Sequence, residues 1–291
     1  MVASGCGDDS SGGDNTDARE TSPTQSPSQT EPSSDIVGDY DVGEGRHLHL
    51  QCIGSGEPTI VLEVGGEDTV SGSWGSVYSP MESISRVCSY DRANLGMSDP
   101  DPGPRTTKDL ADDLVTLLHV AEVPGPYVFV GGSLGGNIIG LVAANHPKEV
   151  AGLVFVDSTP TNVDPELDPF RKNLSAKEYK RCCDPSLYTP DFDAPENVEH
   201  IDWKGSLAAE LASVRHQPKV PTIVLSATRL DCEPSWPCEA IIKDDGRLQG
   251  LWIKGNPKGS QQFIDSGHVM QREAPQAIID ATRTVVEAVS G

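Results

Sequence analysis

The sequence predicts an α/β fold in which a mostly parallel sheet is covered by helices on both faces. Four short and continuous apolar runs have the pattern of strands that are buried on both sides. Between them, apolar residues recur at helical spacing. Strands that alternate with helices indicate a doubly covered sheet. The four runs are residues 59–64, 127–130, 152–156 and 222–225.

Helices and further strands are predicted by periodicity. Residues 47–52 alternate polar and apolar, as a half-exposed strand does, and residues 251–253 are predicted as a last strand. Thr106 or Thr107 is placed to cap the first long helix, and Pro147 ends the second. The helical sets are Leu110, Leu114, Leu117 and Leu118; Leu134, Ile138, Leu141 and Val142; and Ile278, Val285, Val286 and Val289.

Two segments depart from this alternation. Residues 1–35 are a polar tether in which Ser, Thr, Pro, Gly and Asp dominate, and such composition favours disorder. Residues 159–220 are predicted as an inserted cap, which leaves 36–158 and 221–291 as the core. The insertion carries scattered aromatic residues, namely Phe170, Tyr179, Tyr188, Phe192 and Trp203.

The charge of the chain restricts its partners. Its 22 basic and 44 acidic residues give a formal net charge of -22. Such a surface repels phosphate backbones and anionic headgroups, so nucleic-acid binding is not expected. The acidity itself is typical of a protein that stays soluble outside the cell or in high salt.

The N-terminus has a motif of its own. Residues 3–6 read Ala-Ser-Gly-Cys, which resembles the end of a bacterial lipoprotein signal, where small residues precede a lipidated cysteine. A polar tether follows Cys6, as in lipoproteins. We therefore expect an extracytoplasmic protein, secreted or attached to the cell surface, whose only link to a membrane is a lipid at Cys6. A chance cysteine is the alternative.

The residues with the clearest chemical signal are Gly131-Gly132-Ser133-Leu134-Gly135. They match Gly-x-Ser-x-Gly and lie directly between a predicted strand and a predicted helix. In such a turn the serine adopts a strained conformation that exposes its hydroxyl, and small neighbours relieve the crowding. An ordinary glycine-rich turn is the alternative. A phosphate-binding loop is disfavoured because no Lys-Ser/Thr follows.

Over nearly all of residues 36–290 the chain resembles the α/β-hydrolase family of esterases and lipases. The resemblance rests on the serine motif, on Thr59 to Gly66 as a strand and oxyanion loop, and on the segment 87–98, which resembles the turn Asp-Arg-x-Gly-x-Gly-x-Ser. Asn94 replaces a commoner glycine there, a mild change because Asn tolerates positive φ. The resemblance implies an eight-stranded, mostly parallel sheet with an inserted helical cap.

The family's order of nucleophile, acid and histidine implies the other catalytic residues. His268 follows the last strand and precedes the C-terminal helix, where the family places its base. Asp231 follows the strand at 222–225 after a short turn and is the preferred acid. Asp157, at the end of the preceding strand, is the second choice, because some hydrolases of this fold take their acid from there.

Further implications concern the oxyanion hole and the cysteines. By resemblance the backbone N–H groups of Gly66 and Leu134 stabilise the developing oxyanion, although Val64 replaces the usual His. The family's strand order brings Cys52 beside Cys88. Six cysteines besides Cys6 fit an oxidising compartment. Cys232 and Cys238, which flank the loop after Asp231, are the second candidate pair. The alternative is a disulfide between that loop and Cys182 or Cys183 of the insertion.

These observations predict a carboxylic-ester hydrolase that forms an acyl-enzyme on Ser133 and requires no metal or organic cofactor. Its expected partner is a small ester with an apolar part, because the insertion is aromatic. One alternative is an amide or peptide hydrolase similar to proline iminopeptidases, in which Glu196, Glu199 or Glu210 binds a substrate amine. Another is a binding protein that has kept the fold without catalysis.

Overall fold

A computed structural model describes residues 35–66, 69–158, 175–177, 190–230 and 237–291. Within these ranges eight strands form one sheet in the order β1-β2-β4-β3-β5-β6-β7-β8. The strands are β1 (Ile36–Asp41), β2 (His47–Ile53), β3 (Thr59–Glu63), β4 (Val87–Tyr90), β5 (Tyr127–Gly132), β6 (Val150–Val156), β7 (Thr222–Ala227) and β8 (Gly259–Ile264).

The sheet confirms the predicted class. β1 pairs with β2, and β2 with β4, in antiparallel fashion, whereas every later pair is parallel. β3 and β5 are buried along their whole length, and β2 alternates between buried and less buried positions, as its sequence predicts. Because β3, β5, β6, β7 and β8 are parallel, their carboxyl ends meet at one edge of the sheet, where ligands usually bind.

Helices cover both faces. α3 and α4 pack on one apolar cluster, and α2 and α8 pack on another across the sheet. The helices are α1 (Val70–Ser73), α2 (Gly75–Met81), α3 (Thr107–Val120), α4 (Leu134–Asn145), α5 (Trp203–Arg215), α6 (Cys238–Gln249), α7 (Met270–Glu273) and α8 (Pro275–Ser290), with a 3₁₀ helix at Gly250–Ile253.

The predicted helix boundaries agree with this structure. Thr106 caps α3 through a capping box in which its side chain accepts from the Asp109 N–H and the Asp109 carboxylate accepts from the Thr106 N–H. α4 ends at Asn145, before Pro147. The positive φ expected of Asn94 is also present, at 70°.

The predicted last strand at residues 251–253 is wrong. This segment is the 3₁₀ helix, and Trp252 is buried there because its ring stacks on Phe155 at 4.6 Å. The last strand is β8, which has the polar sequence Gly-Ser-Gln-Gln-Phe-Ile. As an edge strand with no residue fully buried, β8 lacks the apolar run that marks an interior strand.

Only part of the predicted insertion is described. α5 belongs to it and packs against α3 and α4, and Ile201 forms a β-bridge with Arg105 of the core. Phe170, Tyr179 and Tyr188 lie outside the described residues, as do the predicted tether and Cys6. Among the described helices, none is long and apolar enough to cross a membrane.

The structure contains the Cys52–Cys88 disulfide that the family resemblance implied. The two residues are direct partners in the antiparallel pairing of β2 and β4, with 4.0 Å between their Cα atoms. Cys238 is also disulfide-bonded. Its candidate partners Cys232, Cys182 and Cys183 lie outside the described residues.

Candidate active site

Ser133 lies in a strained turn between β5 and α4. Its φ of 51° and ψ of -121° are rare for a residue with a side chain, and its N–H donates to the Val156 carbonyl. The flanking glycines make this turn possible: a Cβ on Gly131 would lie 2.5 Å from the Gly135 carbonyl oxygen. The turn therefore presents the hydroxyl at the carboxyl edge of the sheet.

His268 stands beside this hydroxyl. It follows β8 in the loop before α7, and its Nε2 lies 3.0 Å from the Ser133 Oγ. The two residues are 135 positions apart in sequence. The side chain of His268 is 56% exposed, so water has access to the imidazole. The distance is within the range for direct proton transfer from the serine.

The carboxylate on the other side of His268 is that of Asp157. Its Oδ2 lies 2.7 Å from the His268 Nδ1, and its side chain is only 13% exposed. The sequence preference for Asp231 is corrected at this point, because an imidazole has one Nδ1 and Asp157 occupies it. Asp231 itself lies outside the described residues. Asp157 directly follows β6, so the parallel pairing of strands brings it to the same edge as Ser133.

Two further donors hold the carboxylate of Asp157. Its Oδ1 accepts from the Ala227 N–H at 3.0 Å and from the Gln249 Nε2 at 2.9 Å. Burial opposes ionisation of Asp157, but the hydrogen bonds from His268, Gln249 and Ala227 outweigh it and lower its pKa. Gln249 was missed by sequence reasoning, since it ends a helix far along the chain and belongs to no motif.

The carboxylate in turn changes the basicity of the histidine. The hydrogen bond that His268 donates to the Asp157 carboxylate raises the pKa of His268, against a smaller opposing effect of burial. The pair thus favours the imidazolium, which is the state a base reaches after it accepts a proton from serine.

The predicted oxyanion donors, Gly66 and Leu134, line the same cavity as Ser133. Leu134 occupies the first position of α4, so its N–H has no partner inside the helix. Gly66 follows β3 and lines the cleft beside Ser133. Among the described residues no hydrogen bond engages either N–H. Both groups are therefore available to an oxygen that gains negative charge.

Two cavities meet at Ser133 and Gly66. One, of about 210 Å³, lies on the His268 side and is lined by Val269, Gln271 and Arg272. The other, of about 310 Å³, lies on the insertion side and is lined by Leu134, Pro190, Ile201 and Trp203, with Glu199. A substrate held at Ser133 therefore has room on both sides of its reacting carbonyl.

Of the three glutamates considered for binding a substrate amine, two are buried and engaged inside the protein, and one is exposed. Glu199 is 1% exposed and forms a bidentate ion pair with Arg92. Glu210 is buried and accepts from the Thr107 hydroxyl, and burial raises its pKa to about 7. Glu196 is exposed. In the described ranges, no group of three or more His, Cys, Asp or Glu side chains is arranged to hold a metal ion.

Comparison with known proteins agrees with this fold. Residues 65–281 match the profile of the Alpha/beta hydrolase family, which is most of the chain. The chain therefore belongs to the α/β-hydrolase family.

The curated relatives are matched to different extents. The chain spans only 17% of a probable transporter from Hormonema carpetanum, with 36% identity over 121 residues, or 40% of this chain. It spans 87% of a pimeloyl-[acyl-carrier protein] methyl ester esterase from Nitrosomonas europaea, with 26% identity over 75% of this chain. Among solved structures, a thermophilic esterase from Thermogutta terrifontis has a TM-score of 0.58 at 21% identity, over 88% of this chain and 99% of that one.

Proposed function

We propose that this chain is a serine hydrolase that cleaves carboxylic esters through an acyl-enzyme on Ser133. The observation that carries the proposal is the continuous contact from the Ser133 hydroxyl through His268 to Asp157, at 3.0 and 2.7 Å. This is the arrangement in which a weak hydroxyl nucleophile gains a base and the base gains an orienting carboxylate.

The reaction follows from these contacts. Ser133 Oγ attacks the ester carbonyl while His268 Nε2 accepts its proton, and the carbonyl oxygen turns toward the N–H groups of Gly66 and Leu134. His268 then donates the proton to the leaving alkoxide, which departs as an alcohol. A water molecule, activated by the same imidazole, attacks the acyl group and releases the carboxylic acid and Ser133.

Ester rather than amide chemistry is favoured by two observations. The relative from Nitrosomonas europaea and the structure from Thermogutta terrifontis are both named as esterases. In addition, Glu199 and Glu210 are engaged inside the protein by Arg92 and Thr107, so they do not offer a carboxylate for a substrate amine. Glu196 is exposed, and it is not among the residues that line the two cavities at Ser133. A purely binding role leaves the aligned hydroxyl, imidazole and carboxylate without a purpose.

The two cavities define the kind of ester that we expect. Trp203, Ile201 and Pro190 give the insertion side an apolar lining that suits the apolar part of a substrate. Arg272 lines the other cavity. Within the described residues it forms no ion pair with a carboxylate, and its guanidinium donates only to the Gly72 carbonyl. In a chain of net charge -22 this cation favours a substrate with an anionic group on the His268 side.

The proposed location is extracytoplasmic, with a lipid anchor at Cys6. The Cys52–Cys88 disulfide and the disulfide at Cys238 support an oxidising compartment, because such bonds persist mainly in exported proteins. Expression with Cys6 intact and with Cys6→Ala tests this. Loss of the protein from the membrane fraction in the variant supports the anchor, and an unchanged distribution contradicts it.

The activity is tested with p-nitrophenyl esters of graded acyl length beside aminoacyl p-nitroanilides. We expect ester turnover that falls by about 10⁴-fold or more in Ser133→Ala and in His268→Ala. Ser83→Ala is a matched control, because the Ser83 hydroxyl donates to the Pro80 carbonyl and not to a residue of the site. Turnover of anilides without turnover of esters would reject the ester proposal.

A further inference from the structure

A buried ionic cluster lies beneath the loop that carries Gly66. Arg92, which follows β4, is 1% exposed, and it lies between the carboxylates of Glu63 at the end of β3 and Glu199 in the insertion. Tyr90 donates its hydroxyl to Glu63 at 2.7 Å. Burial raises the pKa of Glu63, and Arg92 opposes that effect. The cluster is costly to desolvate, so it has to be well paired.

Every N–H of the Arg92 guanidinium has an acceptor. Nε and Nη2 donate to the two Glu199 oxygens at 2.6 and 2.8 Å, and Nη1 donates to Glu63 at 2.6 Å. The two remaining N–H groups donate to backbone carbonyls: Nη1 to Val64 at 2.9 Å and Nη2 to Gly65 at 2.6 Å. All five donors of the side chain are thus in use.

The bond to the Gly65 carbonyl determines the direction of the Gly66 N–H. These two groups belong to the same peptide unit, which is trans, since the cis bonds of the described residues all precede proline. In a trans peptide the C=O and the N–H point in opposite directions. A carbonyl held on Arg92 therefore turns the Gly66 N–H away from the cluster and toward the cleft at Ser133, which Gly66 lines.

We propose that Arg92 is the positioning residue of the oxyanion hole, and that Glu199 connects this position to the insertion. In this loop Val64 replaces the usual histidine. Arg92 supplies hydrogen bonds to the loop by donating to the carbonyls of Val64 and Gly65. Because Glu199 holds two of its donors, the segment before α5 helps to aim the Gly66 N–H. The inference rests on the proposed role of Ser133, but it concerns a residue that touches neither substrate nor Ser133.

The test compares Arg92→Lys with Arg105→Lys. Lysine has three donors in place of five, so at least two acceptors of the cluster lose their partner. Arg105 is a matched control: it is 5% exposed and paired with Asp101 and Asp113, and its side chain has no bond to the oxyanion loop. Both variants are expected to lose stability, as measured by their Tm.

Two rates report on the oxyanion hole. One is the second-order rate at which a fluorophosphonate labels Ser133, since charge grows on the phosphonyl oxygen as fluoride leaves. The other is kcat for a p-nitrophenyl ester. For Arg92→Lys we expect both to fall about 10- to 100-fold, with KM changed less than about threefold and the acid limb of the pH profile unmoved. Arg105→Lys should keep both rates.

The outcomes separate this inference from the proposed function. A folded Arg92→Lys protein that is labelled within about twofold of the wild-type rate overturns the inference, and so does an equal loss of rate in Arg105→Lys. Labelled wild-type protein that turns over no ester overturns the ester proposal and leaves the labelling comparison valid. If Arg92→Lys does not fold, Glu199→Gln loosens the same guanidinium: labelling slower by about 3- to 10-fold supports the inference, and an unchanged rate rejects it.

Discussion

The carboxylate of Asp157 meets the imidazole of His268 at 2.7 Å, although 111 residues separate the two in sequence. This contact favours Asp157 over Asp231 as the acid of the proposed catalytic set. In the parallel order of the sheet, β5, β6 and β8 end at the same edge, and each is followed by one member of the set Ser133, Asp157 and His268.

Asp157→Asn should lower kcat on p-nitrophenyl esters by about 10⁴-fold, because the amide cannot stabilise the imidazolium and favours the wrong tautomer of His268. Steady-state kinetics measure the loss, and circular dichroism checks the fold. Asp231→Asn is the comparison variant and should retain most activity. The opposite result would restore Asp231 as the acid.

Activity should depend on pH through His268. The hydrogen bond that the imidazole donates to the Asp157 carboxylate raises the pKa of His268 above its usual value near 6.5, and only the neutral imidazole accepts the proton of Ser133. Therefore kcat/KM should fall as the pH decreases through this raised pKa, because His268 becomes protonated. The acid limb of the kcat/KM profile should lie above pH 6.5 in the wild type, and a midpoint clearly below 6.5 would contradict the pairing of His268 with Asp157.

Gln249→Leu should lower kcat by about 10-fold while KM changes little. The substitution removes one donor from the buried Asp157 carboxylate, a loss of about 1 to 2 kcal/mol in the alignment of the acid. Without the hydrogen bond from Gln249, the pKa of Asp157 should rise. Gln261→Leu is the control, since its amide donates to Ser226 and Gly246 and not to Asp157. Equal losses in both variants would show a general effect of burying leucine.

Arg272→Gln should reduce kcat/KM about 10- to 100-fold for an ester that carries a carboxylate near the reacting carbonyl. The neutral ester of the same length should be hydrolysed at the wild-type rate. Paired substrates that differ only in this group provide the measurement. Arg283→Gln is the control, because Arg283 lies on α8 and lines a different cavity. A similar loss on both esters would remove Arg272 from substrate selection.

Replacement of Cys52 and Cys88 by alanine should lower the free energy of unfolding by about 3 to 4 kcal/mol, because their bond closes a loop across 36 positions. Urea unfolding of the variant and the wild type measures the difference. Ester turnover at 25 °C should persist in the folded variant, since β2 and β4 do not carry the proposed catalytic residues. Stability within about 1 kcal/mol of the wild type would contradict the expected contribution of the disulfide.

The sequence predicts the parts of this protein whose signal is local. Ser133 lies in a short motif between a strand and a helix, and the strands β3 and β5 are apolar over consecutive residues, so neither needs knowledge of distant partners. β8 was missed because an edge strand requires no apolar run, and its polar residues carry no strand signal.

The acid and its support could not be chosen from the sequence. Asp157 and Asp231 both follow strands of the parallel sheet, and only the packed structure shows which carboxylate meets His268. Gln249 contacts Asp157, which lies 92 positions away in sequence, and Arg92 contacts Glu199, which lies 107 positions away. Such contacts depend on how helices and loops pack, and no short pattern records them.

The wide spacing of the three proposed catalytic residues has a consequence for folding. Ser133 and His268 meet across 135 residues, so the site forms only after β5 and β8 have joined the same sheet. Neither half of the chain can assemble it alone. The labelling of Ser133 by a fluorophosphonate therefore reports the fraction of molecules in which the site has formed. The recovery of labelling after dilution from denaturant would measure the rate at which β5 and β8 join the same sheet.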